Sequence, residues 1–468
     1  MFGIRIVQPM ADGITMNLIL KLVLLLLFLL SRLALAQDPW TLDACVAYAL
    51  EHNLQLKDFE YSTESNRESY RQSFRDLLPN INATTNYNIR FGRSVDPNDN
   101  SIITTDFFSN NYSIDATLDL FKGFQKINLI KASSLLYKAT KEETLQQKYL
   151  LAFRVMQAFY DIRFYEGLVA NSADQLAVSQ ANFDLVKKQI ALGLKAGADL
   201  YEAESLLLTD KLNLTQSKNQ LEAARLRLMQ EMNLNERETI TIQHGMIREP
   251  DMAMDVASQP DSIFGQARGF LPIIKARELQ VQAAKKSVSA ARGDLYPSLS
   301  IFGGYGTGYY ETTQDTLGNT IPFSDQFRDN TFQFVGLNLS IPISNGWSGR
   351  SRVKQQKIEQ LRAQNNLDLQ EQVLYQTIQS LVQDYEALRL EYEQSAQTVK
   401  AQELAFTIAQ KRYEKGLINA LELITAKNLF ANAQNQNLQV RLRWEINKST
   451  LDFYRGLPVF SINPIATP

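Results

Sequence analysis

Two histidines, one cysteine and a scatter of carboxylates are what this chain of 468 residues offers for chemistry. His52 and His244 give metal ligation and general-base catalysis little to work with. Cys45 stands alone, which rules out an intrachain disulfide framework and a cysteine-rich metal site. Carboxylates such as Glu202 and Glu204 are strung along helical stretches in the manner of solvated faces. No P-loop, Gly-x-Ser-x-Gly, dinucleotide fingerprint or His-Glu-x-x-His occurs. The expectation is a protein that is not an enzyme and that holds no cofactor and no metal. Lys plus Arg number 48 against 50 Asp plus Glu, with no basic cluster, so nucleic acid is not expected as a partner.

The chain is instead organised by apolar ladders. Val155, Ile162, Val169, Leu176, Phe183 and Ile190 recur every seven positions. Ile378, Tyr385, Tyr392, Val399, Phe406 and Tyr413 repeat that ladder 223 residues later. A sustained seven-residue period marks helices held in coiled coils, and its double occurrence at one offset marks an internal repeat. A second ladder follows each first one: Leu200, Leu207, Leu214, Leu221 and Leu228, then Leu423, Phe430, Asn437, Trp444 and Leu451. Each half therefore carries two long helices joined by a short break, at Gly193-Leu194-Lys195-Ala196-Gly197 and at Gly416-Leu417-Ile418-Asn419. Glycine can supply the positive φ of such a reversal. The first long helix, about 124–192, would be a rod of roughly 100 Å at 1.5 Å per residue.

Lys21, the apolar run Leu22 to Leu30 and Ala34-Leu35-Ala36 before Gln37 have the three regions of a secretory signal peptide. The run is shorter than the ~20 residues a membrane helix needs. Either Met1 or Met16 would serve as the start. A lipid anchor would need a cysteine where Gln37 stands, so Cys45 reads as a small core residue.

Between the helices the period changes to two. Thr41 would cap a helix over 42–78, which stops at Asp76-Leu77-Leu78-Pro79 because proline disfavours helical geometry in the residue before it. Then Ile81, Ala83, Thr85, Tyr87, Ile89 and Phe91 alternate with Asn82, Thr84, Asn86, Asn88 and Arg90. After a polar loop, 92–110, Tyr112, Ile114, Ala116, Leu118 and Leu120 do the same. The second half repeats this after Asp294-Leu295-Tyr296-Pro297. There Leu299, Ile301, Tyr305 and Tyr309 line one strand, and Val335, Leu337, Leu339, Ile341 and Ile343 the next, beyond a polar loop over 310–330. Phe332 and Phe334 interrupt the alternation, which predicts a bulge or an interfacial aromatic girdle. Strands of about ten residues with alternating faces fit a membrane β-barrel. Four strands cannot close around a pore, and about eight make a filled barrel. Three copies give twelve strands and a lumen, so a homotrimer is the smallest symmetric conduit.

This order resembles the TolC family of outer-membrane efflux channel proteins over residues 40–457. The resemblance rests on the duplicated succession of helix, hairpin and long coiled coil, and on the two Asp-Leu-x-Pro motifs. It rests also on Leu120-Phe121-Lys122-Gly123, on Ile343-Ser344-Asn345-Gly346 and on the Gly-Leu turns. It implies a mixed α and β membrane protein with long antiparallel coiled coils forming a periplasmic tunnel. Four β-strands per chain would join a twelve-stranded trimeric barrel set in outer-membrane lipid. The family's role is the exit duct of a tripartite efflux or type I secretion system. Its periplasmic tips meet an adaptor (membrane fusion) protein, which couples the duct to an inner-membrane RND or ABC pump.

By the resemblance, Gly193, Leu194, Gly416 and Leu417 are adaptor-docking tips. Asp199 and Tyr413 fall at positions of a latch that closes the periplasmic aperture, and Glu422 at an acidic-ring position. Ile418 replaces an arginine of that latch, and Thr425 a second ring acid. Read from the residues alone, Tyr413 is the last rung of a ladder and Asp199 a helix cap. The expected division is a signal peptide over 1–36, a first repeat over 37–234 and a connecting segment over 235–261. A second repeat follows over 262–457 and an irregular tail over 458–468. Within the repeats, hairpins span 81–121 and 298–343, and helical hairpins 124–234 and 347–457. Two other readings stay open: a soluble sheet packed on a core, and a secreted coiled-coil adhesin or periplasmic scaffold without a pore. The exported substrate is not written in the sequence.

Overall fold

The computed structural model describes residues 39–95, 100–104, 106–234, 240–243 and 260–460. The signal-peptide segment, His244 and most of the connecting segment lie outside the described residues.

Both halves are built around helices of equal length. Helix α3 (Gln125–Ala191) and helix α8 (Ser348–Glu414) each run for 67 residues. Neither contains proline, and each contains one glycine, so nothing in them breaks the helix. Helix α4 (Gly197–Met232) returns along α3, and α9 (Ala420–Tyr454) returns along α8. The ladders mark the seams. Val155, Ile162, Ile378, Tyr385, Leu228 and Leu451 are wholly buried. One apolar cluster joins α3 and α4 to Cys45, Val46 and Ala49 of α1 (Leu42–His52) and to Ile240 and Ile242. A second joins α8 and α9 to α5 (Pro260–Phe270) and α6 (Pro272–Arg292). Phe153 packs against both, and its ring meets those of Phe453 and Phe460 edge-on at 5.0 and 5.2 Å.

The helix expected over 42–78 is two helices. Asn53 takes an extended conformation between α1 and α2 (Leu54–Arg75), and its Oδ1 accepts from Leu56 N at 3.0 Å as the cap of α2. Its Nδ2 donates to Glu231 O, and Leu54 N donates to Asn233 Oδ1, which fastens the break to the end of α4. An asparagine amide outbids helix propensity here because each bond satisfies a backbone group at a helix terminus.

The sheet is antiparallel in the order β1 (Asn80–Arg90), β4 (Phe107–Lys122), β5 (Ser298–Tyr310), β6 (Phe332–Ser340). One hairpin from each half thus meets at the β4–β5 pair. The loops are less irregular than their composition suggests. Residues 92–110 hold a small ribbon, β2 (Arg93–Val95) paired with β3 (Ile102–Thr104), and β4 starts within that range. Residues 310–330 hold helix α7 (Phe323–Asp329). Phe332 and Phe334 make no bulge: β6 pairs with β5 in unbroken register, and the shift falls between Asp119 and Phe121. The ring of Phe334 covers Gly304, and that of Phe332 covers Gly306, so aromatics fill the hollows that glycines leave in the facing strand. Strand β6 ends at Ser340, leaving Ile341 and Ile343 beyond it.

Candidate functional site

Register turns the alternation into two chemically distinct surfaces. On one face, Ala83, Ile114 and Tyr305 lie side by side across three strands, and Leu118, Ile301 and Leu337 do the same two levels along. Val335 and Leu337 on that face are 82% and 66% exposed, and Ile81 63%. The opposite face carries Asn82, Asp115, Thr84, Ser113, Asn86 and Asn111 on β1 and β4, and Phe302, Phe332 and Phe334 on β5 and β6. Among the described residues no helix is long and apolar enough to cross a membrane. Strands β1 and β6 are the free edges, and they run antiparallel to each other within the sheet.

At the loop end of the sheet, β5 outruns β6 by four residues, and α7 takes over the unpaired edge. Buried Gln326 exchanges both of its amide bonds with the backbone of Tyr310: its Oε1 accepts from Tyr310 N and its Nε2 donates to Tyr310 O, each at 3.0 Å. Asn330 Nδ2 donates to Gly308 O at 2.8 Å and Thr307 Oγ1 donates to Phe327 O at 2.6 Å. Side chains thus do the work of a missing strand, which hides an edge that would otherwise pair with another chain.

The far ends of the helical hairpins are two matching turns. Gly193 and Gly416 both have φ +72°. Gly193 N donates to Ile190 O and Leu194 N to Gln189 O; Gly416 N donates to Tyr413 O and Leu417 N to Arg412 O. This double bond pattern around a left-handed glycine closes a helix and satisfies its last carbonyls. Gly197, expected to share that role, is instead the first residue of α4. Leu194 and Leu417 are 71% and 64% exposed, each presenting an apolar side chain at an end of the rod.

Asp199 sits in the first turn of α4, and its Oδ2 accepts from Ala196 N at 3.1 Å. Tyr413 is buried beside Phe406 and Leu423, with Ile418 packed against the same cluster. Its hydroxyl accepts from Lys195 Nζ at 2.8 Å, and that ammonium lies 4.4 Å from the ring centroid. The two turns are therefore tied together through Lys195, a residue of the first break to which the sequence assigned no part. Glu422 is exposed in the first turn of α9, where Asn419 Oδ1 caps the backbone by accepting from Glu422 N at 2.9 Å. Thr425 Oγ1 donates to Leu421 O.

One polar cluster escaped sequence reading altogether. Lys427 of α9 is 1% exposed; its Nζ donates to Ser179 Oγ of α3 at 2.6 Å and pairs with the carboxylate of Asp210 of α4. Ser179 donates to the same carboxylate. The only signal available was position: Lys427 follows the ladder residue Leu423 by four, on the same helix face. Asn171 bonds Asn435 at 2.8 Å and Ser172 bonds Ser217 at 3.0 Å nearby, so the seam here is polar. Higher up, burial pushes the Glu445 carboxyl above its usual range, against the opposing pull of Lys448, Arg441 and Arg163. Among the described residues no group of three or more His, Cys, Asp or Glu could hold a metal ion.

A family model described as outer membrane efflux protein matches residues 46–234 and 265–457. The outer membrane protein TolC of Vibrio cholerae is 24% identical over 388 residues, covering 81% of this chain and 81% of that protein. The outer membrane protein OprJ of Pseudomonas aeruginosa is 23% identical over 394 residues, 82% of this chain and 77% of its own. Among solved structures, the outer membrane protein VceC of Vibrio cholerae has a TM-score of 0.72 at 15% identity, over 89% of this chain and 96% of that one. The CmeC outer membrane channel of Campylobacter jejuni has a TM-score of 0.73 at 15% identity, over 89% of this chain and 85% of that one.

Proposed function

This chain belongs to the outer membrane efflux protein family, whose model matches both of its halves, and from that premise we propose that it is the outer-membrane exit duct of a tripartite efflux or type I secretion system. The observation that carries the reading is the four-stranded sheet: apolar across one face, polar on the other along β1 and β4 with Phe302, Phe332 and Phe334 beside glycines on β5 and β6, and with free antiparallel edges at β1 and β6. Pairing β6 of one copy with β1 of the next satisfies both edges. Three copies then close a twelve-stranded barrel with lipid outside and water within.

In this reading the coiled coils of three copies continue the barrel through the periplasm as a helical tunnel roughly 100 Å long. Gly193, Leu194, Gly416 and Leu417 form the surface that an adaptor protein grips, and the adaptor links the duct to an inner-membrane RND or ABC pump. Asp199, Tyr413 and Glu422 lie at the aperture. The linkage of Tyr413 to Lys195, together with Ile418 where the family has an arginine, supports a latch of different composition from TolC's. The domain division follows the two repeats, with residues 235–261 as the connecting belt. The duct itself hydrolyses nothing, and its cargo is set by pump and adaptor.

Reconstitution into planar bilayers tests the duct. A heat-resistant trimer that passes a steady current is the expected result. A protein that stays soluble as a single rod and passes no current would return the chain to the class of coiled-coil adhesins and scaffolds.

A further inference from the structure

Four non-glycine residues among those described have positive φ, and two of them are aromatic: Phe124 at +59° and Trp347 at +63°. A bulky side chain in the left-handed region is strained and needs a reason. The two lie 223 residues apart, the offset of the ladders, each directly before a 67-residue helix. Both rings are turned out, 62% and 70% exposed. Both repeats therefore hold a strained aromatic outward at the corner where sheet becomes helix.

The corners continue the apolar face of the sheet. Phe121, the register partner of Leu299, meets Phe124 edge-on with centroids 5.2 Å apart. Beyond β6, Ile343 is 95% exposed and borders a cleft of about 350 Å³ that it shares with Trp347 and Arg350. The Arg350 guanidinium stacks 4.4 Å over the Trp347 ring. Among the described residues it makes no ion pair. The carboxylate on the cleft, Asp294, is engaged by Arg352 at 2.9 Å and Gln125 at 2.8 Å. An indole supplies an apolar body with one polar N–H, and a guanidinium supplies a planar fork for phosphate.

The geometry points to a phospholipid headgroup site at this corner. Phe124 and Trp347 seat in the headgroup layer where the apolar face ends, and Arg350 binds a lipid phosphate. This fixes the height of the sheet in the membrane. It rests on the sheet being the barrel wall, which the experiment reads separately.

The full chain is reconstituted into vesicles of phosphatidylethanolamine and phosphatidylglycerol, and its emission is compared with that of Trp347→Phe; the difference isolates Trp347, since Trp40 and Trp444 are present in both proteins. A nitroxide on the headgroup should quench the Trp347 emission more than bromines near the acyl-chain ends. Arg350→Gln should weaken selection of phosphatidylglycerol over phosphatidylcholine about fivefold. Protein that floats with vesicles and conducts, but whose Trp347 is unquenched or quenched best from the bilayer centre, overturns the headgroup site alone. Unchanged lipid selection in Arg350→Gln overturns the phosphate contact. Failure to float or conduct overturns the barrel wall as well.

Discussion

Lys427 and Asp210 form an ion pair sealed inside the helical rod, 1% and 5% exposed, that joins the two coiled coils of one chain to each other. Each charge is tolerable there because of the other, with Ser179 adding hydrogen bonds. Removing one partner strands a buried charge, at a cost of about 3–5 kcal/mol, whereas replacing both by apolar residues of similar volume is often neutral or stabilising. Lys427→Met should therefore lower the helical melting temperature markedly, and Lys427→Met with Asp210→Leu should restore it. A double variant as unstable as the single one would show that the pair contributes packing and not charge compensation.

The exposed leucines of the tips separate stability from docking. Leu194 and Leu417 project from turns whose backbone bonds are already satisfied, so Leu194→Ala and Leu417→Ala should change stability by no more than about 0.5 kcal/mol. If these side chains meet an adaptor, the same substitutions should weaken its capture by crosslinking at the tips. Gly193→Ala and Gly416→Ala probe the opposite quality. A Cβ at either position meets nothing within 4 Å, yet the left-handed backbone costs an L side chain about 1–2 kcal/mol. Their melts should fall by a similar small amount, and a much larger loss would mean that the turns are packed against a neighbour.

Periodicity carried most of the architecture because it is a property of every rung. The ladders through Val155 and Ile378 announced the rods, and the alternation after Pro79 announced the sheet. What the pattern could not reveal was set by single side chains acting at long range. Asn53 splits a helix because Glu231 and Asn233, far along the chain, receive it. Gln326 folds a polar loop into α7 because β6 stops short of β5. At the tips, the cap by Asp199 and the burial of Tyr413 follow from position in helix and ladder. Lys195 binds Tyr413 across two hairpins, a pairing that no spacing along the chain encodes.

Glu445 gives the rod a pH dependence. Its folded pKa is raised by burial, with Tyr160 and Arg163 of α3 and Arg441 and Lys448 of its own helix around it. A carboxyl whose folded pKa exceeds the unfolded value, about 4.3, binds its proton more tightly when folded. Its contribution is complete below the unfolded value and is lost as pH rises through the folded one. Glu445→Gln should therefore raise the melting temperature at pH 7.5 by roughly a degree or two. The advantage should shrink on acidification, as the wild-type carboxyl protonates. An advantage that does not vary with pH would assign the effect to packing.

Glu422 carries the remaining electrostatic expectation. Its carboxylate is exposed one turn into α9 and is not needed for the cap, which Asn419 supplies. Replacing it costs the helix only the dipole interaction of an acid near its N-terminus, about 0.3–1 kcal/mol. If three copies surround a narrow aperture, their combined field concentrates cations there. Glu422→Gln should then leave the trimer intact while weakening block by multivalent cations in single-channel recordings. Exposed charges are screened over ~10 Å at 0.1 M salt and ~3 Å at 1 M, so the difference between wild type and variant should narrow as salt rises. Block that is the same in both proteins at low salt would remove Glu422 from the aperture, leaving it as an ordinary first-turn acid.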